Sequence, residues 1–219
     1  MIKLFLNFCN FLNDRIVPQQ YILEYMPNNN LEETATLAGG CFWCTEAIFK
    51  RLKGITSVFP GYAGGMADHP TYEQVCSGNT GHAEAVQIKF DPNIIPFEKI
   101  LDIFWNTHNP TTLNQQGNDI GTQYRSVIFF HNPKQQQIAE NSKAKIQAQK
   151  LFTSPLVTEI IPFTNFFAAE DYHQNYFDRN SQAPYCNIVI SPKIHKLLEK
   201  YSRDVKEEYK SVPDIVKIG

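Results

Sequence analysis

Thr34-Ala35-Thr36-Leu37-Ala38-Gly39-Gly40-Cys41-Phe42-Trp43-Cys44-Thr45-Glu46 joins two kinds of segment within thirteen residues. Thr34 to Ala38 reads as a short strand, the glycine pair as a tight turn, and Phe42 to about Leu52 as a helix that stops at Gly54. Cys41 stands at the junction. The first N–H groups of a helix have no intrahelical acceptors and carry partial positive charge, which predicts a thiol of lowered pKa and therefore a nucleophile. Phe42 and Trp43 set an aromatic wall beside the sulfur, suited to an apolar substrate group more than to a phosphate or a sugar.

Further elements follow outward from this unit. Gly61-Tyr62-Ala63-Gly64-Gly65 and Ser77-Gly78-Asn79-Thr80-Gly81 read as glycine-rich loops of the kind that carry sites. His82 to Phe90 alternates as a strand, with Glu84, Val86, Ile88 and Phe90 on one face and Ala83, Ala85, Gln87 and Lys89 on the other. Pro96 opens a helix to about Thr107, and Gln123 to Phe130 reads as a strand buried on both sides. Lys134 to Lys150 reads as a helix, Leu156 to Pro162 as a strand, Ala168 to Arg179 as a short helix, and the chain from Pro192 as a charged helix. No repeat is present. The mixture predicts an α+β fold: a single-domain two-layer sandwich with helices packed on a mixed or antiparallel sheet and an extended C-terminal segment. Residues 1–30, closing in Pro27-Asn28-Asn29-Asn30, form an N-terminal extension; 31–195 form the catalytic domain and 196–219 a charged helical tail.

With 219 residues, 42% of them hydrophobic, the chain can bury a core of its own. Net charge is −2 with signs interspersed, so there is no basic stripe to recruit nucleic acid. The apolar run Ile2 to Leu12 is interrupted by Asn7 and Asn10 and closed by Asp14-Arg15 without a small-residue cleavage site. It reads as a weakly amphipathic leader in a cytoplasmic, monomeric protein, with a signal peptide as the alternative. No run is long enough to span a bilayer. Five cysteines are too few and too irregular for a secreted disulfide scaffold.

Cys41-x-x-Cys44 has three readings: thiol redox chemistry, half of a metal site, or two packed thiols. A structural zinc site takes four ligands, usually in two close pairs, and the chain has no second Cys-x-x-Cys or His-x-x-x-His pair. Neither metal nor cofactor is therefore expected; a thiol-disulfide oxidoreductase using Cys41 and Cys44, or a metal-binding module, stand as the alternatives. Glu84 is the second informative residue. On the face of Val86 and Ile88 a desolvated carboxyl stays neutral and can donate a proton near neutral pH, whereas at an exposed strand end it is only a surface charge.

Taken together, Gly39-Gly40-Cys41-Phe42-Trp43, Gly61-Tyr62-Ala63-Gly64-Gly65, Pro70-Thr71-Tyr72, Val75-Cys76-Ser77-Gly78, Gly81-His82-Ala83-Glu84-Ala85-Val86, Asp119-Ile120-Gly121-Thr122-Gln123-Tyr124-Arg125-Ser126 and Glu170-Asp171-Tyr172-His173-Gln174 resemble, in order and spacing, the peptide methionine sulfoxide reductase A family. The resemblance covers about residues 34–195. It implies that Cys41 attacks a sulfoxide sulfur and that Glu84 protonates the sulfoxide oxygen. Tyr72, Tyr124 and Asp119 then line the oxyanion side, and Phe42 and Trp43 receive the substrate methyl group. The product is methionine plus a Cys41 sulfenic acid, which condenses with a second thiol to a disulfide recycled by thioredoxin. By the same analogy the substrate is the S epimer, in oxidised proteins or as the free amino acid. Two thiols compete as resolving cysteine. Cys44 lies one helical turn from Cys41, about 5.5 Å between Cα atoms, which a disulfide tolerates. Cys186 follows Pro184 in what reads as a flexible segment, and is the favoured resolver, with a relay through Cys44. His173 reads as structural and Cys76 as a packed loop thiol; Cys9 has no assigned role.

Overall fold

The computed structural model describes residues 32–210; the N-terminal extension, its apolar run and Cys9 lie outside the described residues, as does the end of the tail. The main sheet is built from β1 (Glu33–Gly39), β2 (Ile55–Ala63), β3 (Ala83–Phe90), β6 (Ser126–Phe130), β7 (Glu159–Pro162) and β8 (Phe166–Ala168). A separate ribbon pairs β4 (Gln115–Gln116) with β5 (Asp119–Ile120). The helices are α1 (Phe42–Lys50), α2 (Tyr72–Cys76), α3 (Phe97–Thr107), α4 (Pro133–Ala148), α5 (Tyr176–Arg179) and α6 (Ser191–Tyr201). The six strands run in the order β7-β6-β1-β3-β2-β8, antiparallel except for the parallel pair β6 and β7. The expected mixed sheet with helices packed on it is thus present. Among the described residues no helix is long and apolar enough to cross a membrane.

The two faces of the sheet differ in what they bury. Leu37, Tyr62, Val86, Ile88, Phe90 and Ile128 meet the helices in the main core, with Phe42, Ile48 and Phe49 of α1 and Ile100 and Phe104 of α3. Burial of each such large side chain contributes about 2–3 kcal/mol. The opposite face carries small residues, Ala38, Ala63, Ala83 and Ala85, with Val127 and Phe129, under Ile161, Phe163 and Phe166. The period-two pattern of β3 therefore directs Glu84 into the main core.

Gly40 makes the turn from β1 into α1. Its φ of +91° is left-handed, and a Cβ there would lie 2.5 Å from the Gln116 side chain, so both conformation and space demand glycine. Gly61 to Ala63, expected in a loop, instead end β2. Pro60 and Gly61 read locally as strand breakers, but a Cβ at Gly61 would meet the Phe166 ring at 2.3 Å, so the glycine admits the neighbouring strand β8.

Other boundaries move as well. Residues 122–124 form a 3₁₀ turn, and β6 starts only at Ser126. The short helix expected over Ala168 to Arg179 is split into the end of β8, a 3₁₀ turn at Asp171–His173 and α5, because Asn175 is left-handed at φ +56°. The chain from Cys186 is not extended: Cys186–Ile190 is a π-helical turn leading directly into α6. Nor does the chain divide after residue 195, since α6 runs through that point and Leu197, Tyr201 and Val205 are buried in the main core.

Candidate active site

Cys41 is the N-cap residue of α1, 6% exposed, and its carbonyl accepts from the N–H groups of Cys44 at 3.1 Å and Thr45 at 3.4 Å. The next free donor of the helix, the Phe42 N–H, does not serve the Cys41 sulfur. It donates to Glu84 Oε2 at 3.0 Å, so the helix start and the centre of β3 are joined through the Glu84 carboxyl. Glu84 is 1% exposed, and desolvation pushes its pKa up to about 8 against the opposing pull of that N–H; the charges of Asp119 and Cys44 add to the rise. A carboxyl so placed is mostly protonated at neutral pH.

The thiol pair behaves differently from the simple helix-start expectation. Burial first, then the Cys44 sulfur and the Glu84 charge, hold the Cys41 thiol well above its ordinary value. Cys44 is instead lowered to about 7, by a hydrogen bond from Cys41 and by the Lys193 ammonium of α6, against its own burial. Two neighbouring thiols that influence each other in this way titrate as one unit: the pair loses one proton readily and resists losing the second. The lowered pKa expected at Cys41 is therefore corrected to a property of the pair. The physical reason is that burial of the sulfur, with Cys44 and the Glu84 charge beside it, outweighs the pull of the helix start.

Tyr72 opens α2, and its N–H donates to Glu170 Oε1 at 2.9 Å; the other oxygen of Glu170 accepts from the Tyr62 hydroxyl at 2.7 Å. One carboxylate thus holds two tyrosines beside Glu84, Tyr62 being the register partner of Glu84 across β2 and β3. Tyr124 follows in the 3₁₀ turn after β5. Burial and the nearby Glu84 charge raise the phenols of Tyr72 and Tyr124, with Cys76 contributing a hydrogen bond at Tyr72, so both remain protonated donors. Asp119 Oδ2 accepts from the Tyr185 hydroxyl at 2.7 Å.

Phe42 and Trp43 are both in this cluster. Phe42 is buried, while the half-buried Trp43 ring stacks on Tyr176 at 3.6 Å and 6° and donates from Nε1 to His173 Nδ1 at 3.1 Å. Tyr185 meets Trp43 edge-on at 5.7 Å. Glu46 anchors this wall from behind: buried on α1, it accepts from the Asn175 N–H at 2.7 Å, and burial raises it to about 7.

Cys186 is buried in its helical turn, not carried on a mobile segment, and the sulfur it senses is that of Cys44. Cys76, expected to be packed, is exposed at the end of α2. Among the described residues no group of three or more His, Cys, Asp or Glu side chains is arranged to hold a metal ion. Tyr62, Glu170, Tyr176, Tyr185 and Lys193 had no sequence assignment. Tyr62 and Glu170 lie inside the recognised motifs, where their paired phenol and carboxylate were the available signal; the Lys193 contact comes from tertiary packing of α6 and left no local trace.

A family model described as peptide methionine sulfoxide reductase matches residues 33–206. The peptide methionine sulfoxide reductase MsrA of Saccharolobus solfataricus is 53% identical over 174 residues, covering 80% of this chain and 97% of that protein. The same-named protein of Acinetobacter baumannii strain SDF is 51% identical over 176 residues, covering 80% and 99%. Among solved structures, reduced Mxr1 from Saccharomyces cerevisiae superposes with a TM-score of 0.65 at 36% identity, covering 71% of this chain and 89% of that one. Methionine sulfoxide reductase A of Corynebacterium diphtheriae gives 0.63 at 34%, covering 73% and 78%.

Proposed function

Since the chain belongs to the peptide methionine sulfoxide reductase family, we propose that it reduces methionine S-sulfoxide, in oxidised proteins and as the free amino acid, with Cys41 as nucleophile and Glu84 as acid. The observation that carries this assignment is the buried, largely protonated Glu84 tied to the helix start that Cys41 opens.

A sulfoxide oxygen leaves sulfur only once protonated. Glu84 gives its proton to that oxygen, while Tyr72 and Tyr124, protonated and close to Glu84, donate hydrogen bonds to it as charge develops. The Cys41 thiolate attacks sulfur, and the S-methyl group lies against Phe42 and Trp43. Methionine departs, the substrate sulfur having gained two electrons, and Cys41 is left as a sulfenic acid.

Cys44 is the first resolver. It lies one helical turn from Cys41, its pKa is the lowered one, and Cys186 is buried in the same core cluster. Condensation of Cys44 with the sulfenic acid releases water and forms a Cys41–Cys44 disulfide. Cys186 then exchanges onto Cys44 and frees Cys41, and an external dithiol of the thioredoxin class reduces the Cys44–Cys186 disulfide. This order reverses the preference for Cys186 that its supposed mobility suggested.

Incubation with a methionine-sulfoxide peptide and dithiothreitol, followed by product analysis, tests the reading. Methionine from the S epimer is the expected product. Turnover of a disulfide substrate without any reduction of sulfoxide would replace it with plain thiol-disulfide exchange.

A further inference from the structure

His173 takes no step in the mechanism above, yet it lies against three side chains that do. Between centroids its ring is 5.0 Å from that of Phe42, 5.6 Å from that of Trp43 and 4.5 Å from that of Tyr72, and the residue is 1% exposed. Its hydrogen bond fixes its protonation. An indole nitrogen only donates, so the bond from Trp43 Nε1 at 3.1 Å requires an unprotonated Nδ1 on His173. An imidazolium, with a proton on each nitrogen, could not accept it; the ring is neutral and carries its proton on Nε2. That Nε2 atom is buried with no hydrogen-bond partner among the described residues, so nothing on its own side selects this tautomer. The bond to Trp43 selects it, at the cost of an orphaned buried donor.

The indole needs such an anchor. Trp43 is half-buried and stacks on Tyr176 at 3.6 Å and 6°. A stack fixes the spacing and tilt of two rings but leaves the indole free to slide and rotate within its own plane. Tyr185, edge-on at 5.7 Å, adds an apolar contact without direction. The bond to His173 is the directional contact that sets the rotation. His173 is itself held in the 3₁₀ turn Asp171–His173, where its N–H donates to the Glu170 carbonyl at 2.9 Å. Glu170 is also the residue whose carboxylate accepts from the Tyr72 N–H and the Tyr62 hydroxyl. One turn therefore sets the Trp43 wall through His173 and places Tyr72, the donor on the oxygen side, through Glu170.

We infer that His173 is a positioning residue: by accepting the indole N–H it locks the rotation of Trp43 on Tyr176, and so fixes the wall against which the S-methyl group of the substrate lies. The inference rests on the reading of Trp43 as that wall. No proton or electron moves at His173. The methyl group does not react, so the wall holds bound sulfoxide and transition state alike, and its alignment acts on substrate binding and not on the chemical step.

His173→Asn keeps an oxygen acceptor close to the place of Nδ1, whereas His173→Leu keeps bulk and removes the acceptor. A neutral hydrogen bond of this kind shifts an equilibrium about 2- to 10-fold. His173→Leu should raise KM for a methionine-sulfoxide peptide by about that factor, with the first-turnover rate at saturation unchanged. Discrimination between S-methyl and S-ethyl sulfoxides should fall by a similar factor, because a wall free to rotate admits the extra methylene. His173→Asn should recover most of both. In proton–nitrogen NMR spectra the Trp43 indole N–H resonance should move upfield in the leucine protein and stay near its wild-type place in the asparagine protein, a readout of the bond itself. Two-bond proton–nitrogen correlation on the wild type, which serves even if neither variant folds, should show His173 neutral with its proton on Nε2. A proton on Nδ1, or equal effects of asparagine and leucine on KM and on the indole resonance, overturns the inference. Failure of the wild type to form methionine from sulfoxide, with the tautomer and the indole resonances as expected, would instead overturn the underlying reading.

Discussion

Glu84→Gln should inactivate this protein and stabilise it at the same time. The carboxyl is 1% exposed and its pKa is raised from 4.5 to about 8. A group whose folded pKa is raised binds its proton more tightly when folded, so its contribution is most favourable below the unfolded value and is lost as pH rises through the folded one. Folding at pH 7 must take a proton from water onto a group that is ionised in the unfolded chain, at a cost of about 3 kcal/mol; at pH 5 the same cost is under about 1 kcal/mol. The amide of glutamine is neutral at every pH, and its oxygen can keep the bond from the Phe42 N–H. Urea unfolding at the two pH values should therefore show a gain approaching about 3 kcal/mol at pH 7 that shrinks towards pH 5. First-turnover methionine formation by the same variant should fall about 100-fold or more, the scale for losing a positioned acid. In the wild type the first-turnover rate should decline as pH rises through about 8, where Glu84 ionises. Destabilisation by Glu84→Gln at pH 7, or a rate within a fewfold of wild type, would refute the reasoning.

Cys41→Ser should abolish methionine formation with the far-UV circular dichroism unchanged, because a serine hydroxyl is scarcely ionised at neutral pH. Cys44→Ser should yield one methionine per chain and then stall with thioredoxin. Cys186→Ser should form the Cys41–Cys44 disulfide at the wild-type rate, seen by peptide mapping, and lose speed only in the thioredoxin step; failure of that disulfide to form would return Cys186 to the role of first resolver. Lys193→Met should raise the pH at which the thiol pair becomes reactive to iodoacetamide, because the ammonium is one of the groups that lower Cys44 to about 7.

What could be read from the residues alone was whatever local chemistry dictates. The glycine turn placed Cys41 at a helix start, and the alternation of β3 put Glu84 on the face of Val86 and Ile88, where desolvation rather than a charged partner sets its pKa. Features built by contact between distant segments were not legible. Pro60 and Gly61 look like breakers until β8 is seen to pass within touching distance of Gly61. Pro184 suggested a mobile Cys186, yet the segment turns helical and buries its sulfur near Cys44. The ionisation of the thiol pair depends on the Glu84 carboxyl being brought to Cys41 by β3 and on Lys193 arriving from α6. Neither leaves a mark in the spacing around Cys41.

The central claim, that Cys41 takes the oxygen from methionine sulfoxide, is tested most directly in a protein carrying Cys44→Ser and Cys186→Ser. Mixed with excess sulfoxide peptide and a sulfenic-acid trap, it should form one methionine per chain and one trapped adduct, mapped by mass spectrometry to Cys41. Methionine formed without a stoichiometric adduct at Cys41, or an adduct mapped to Cys76 instead, would contradict the account.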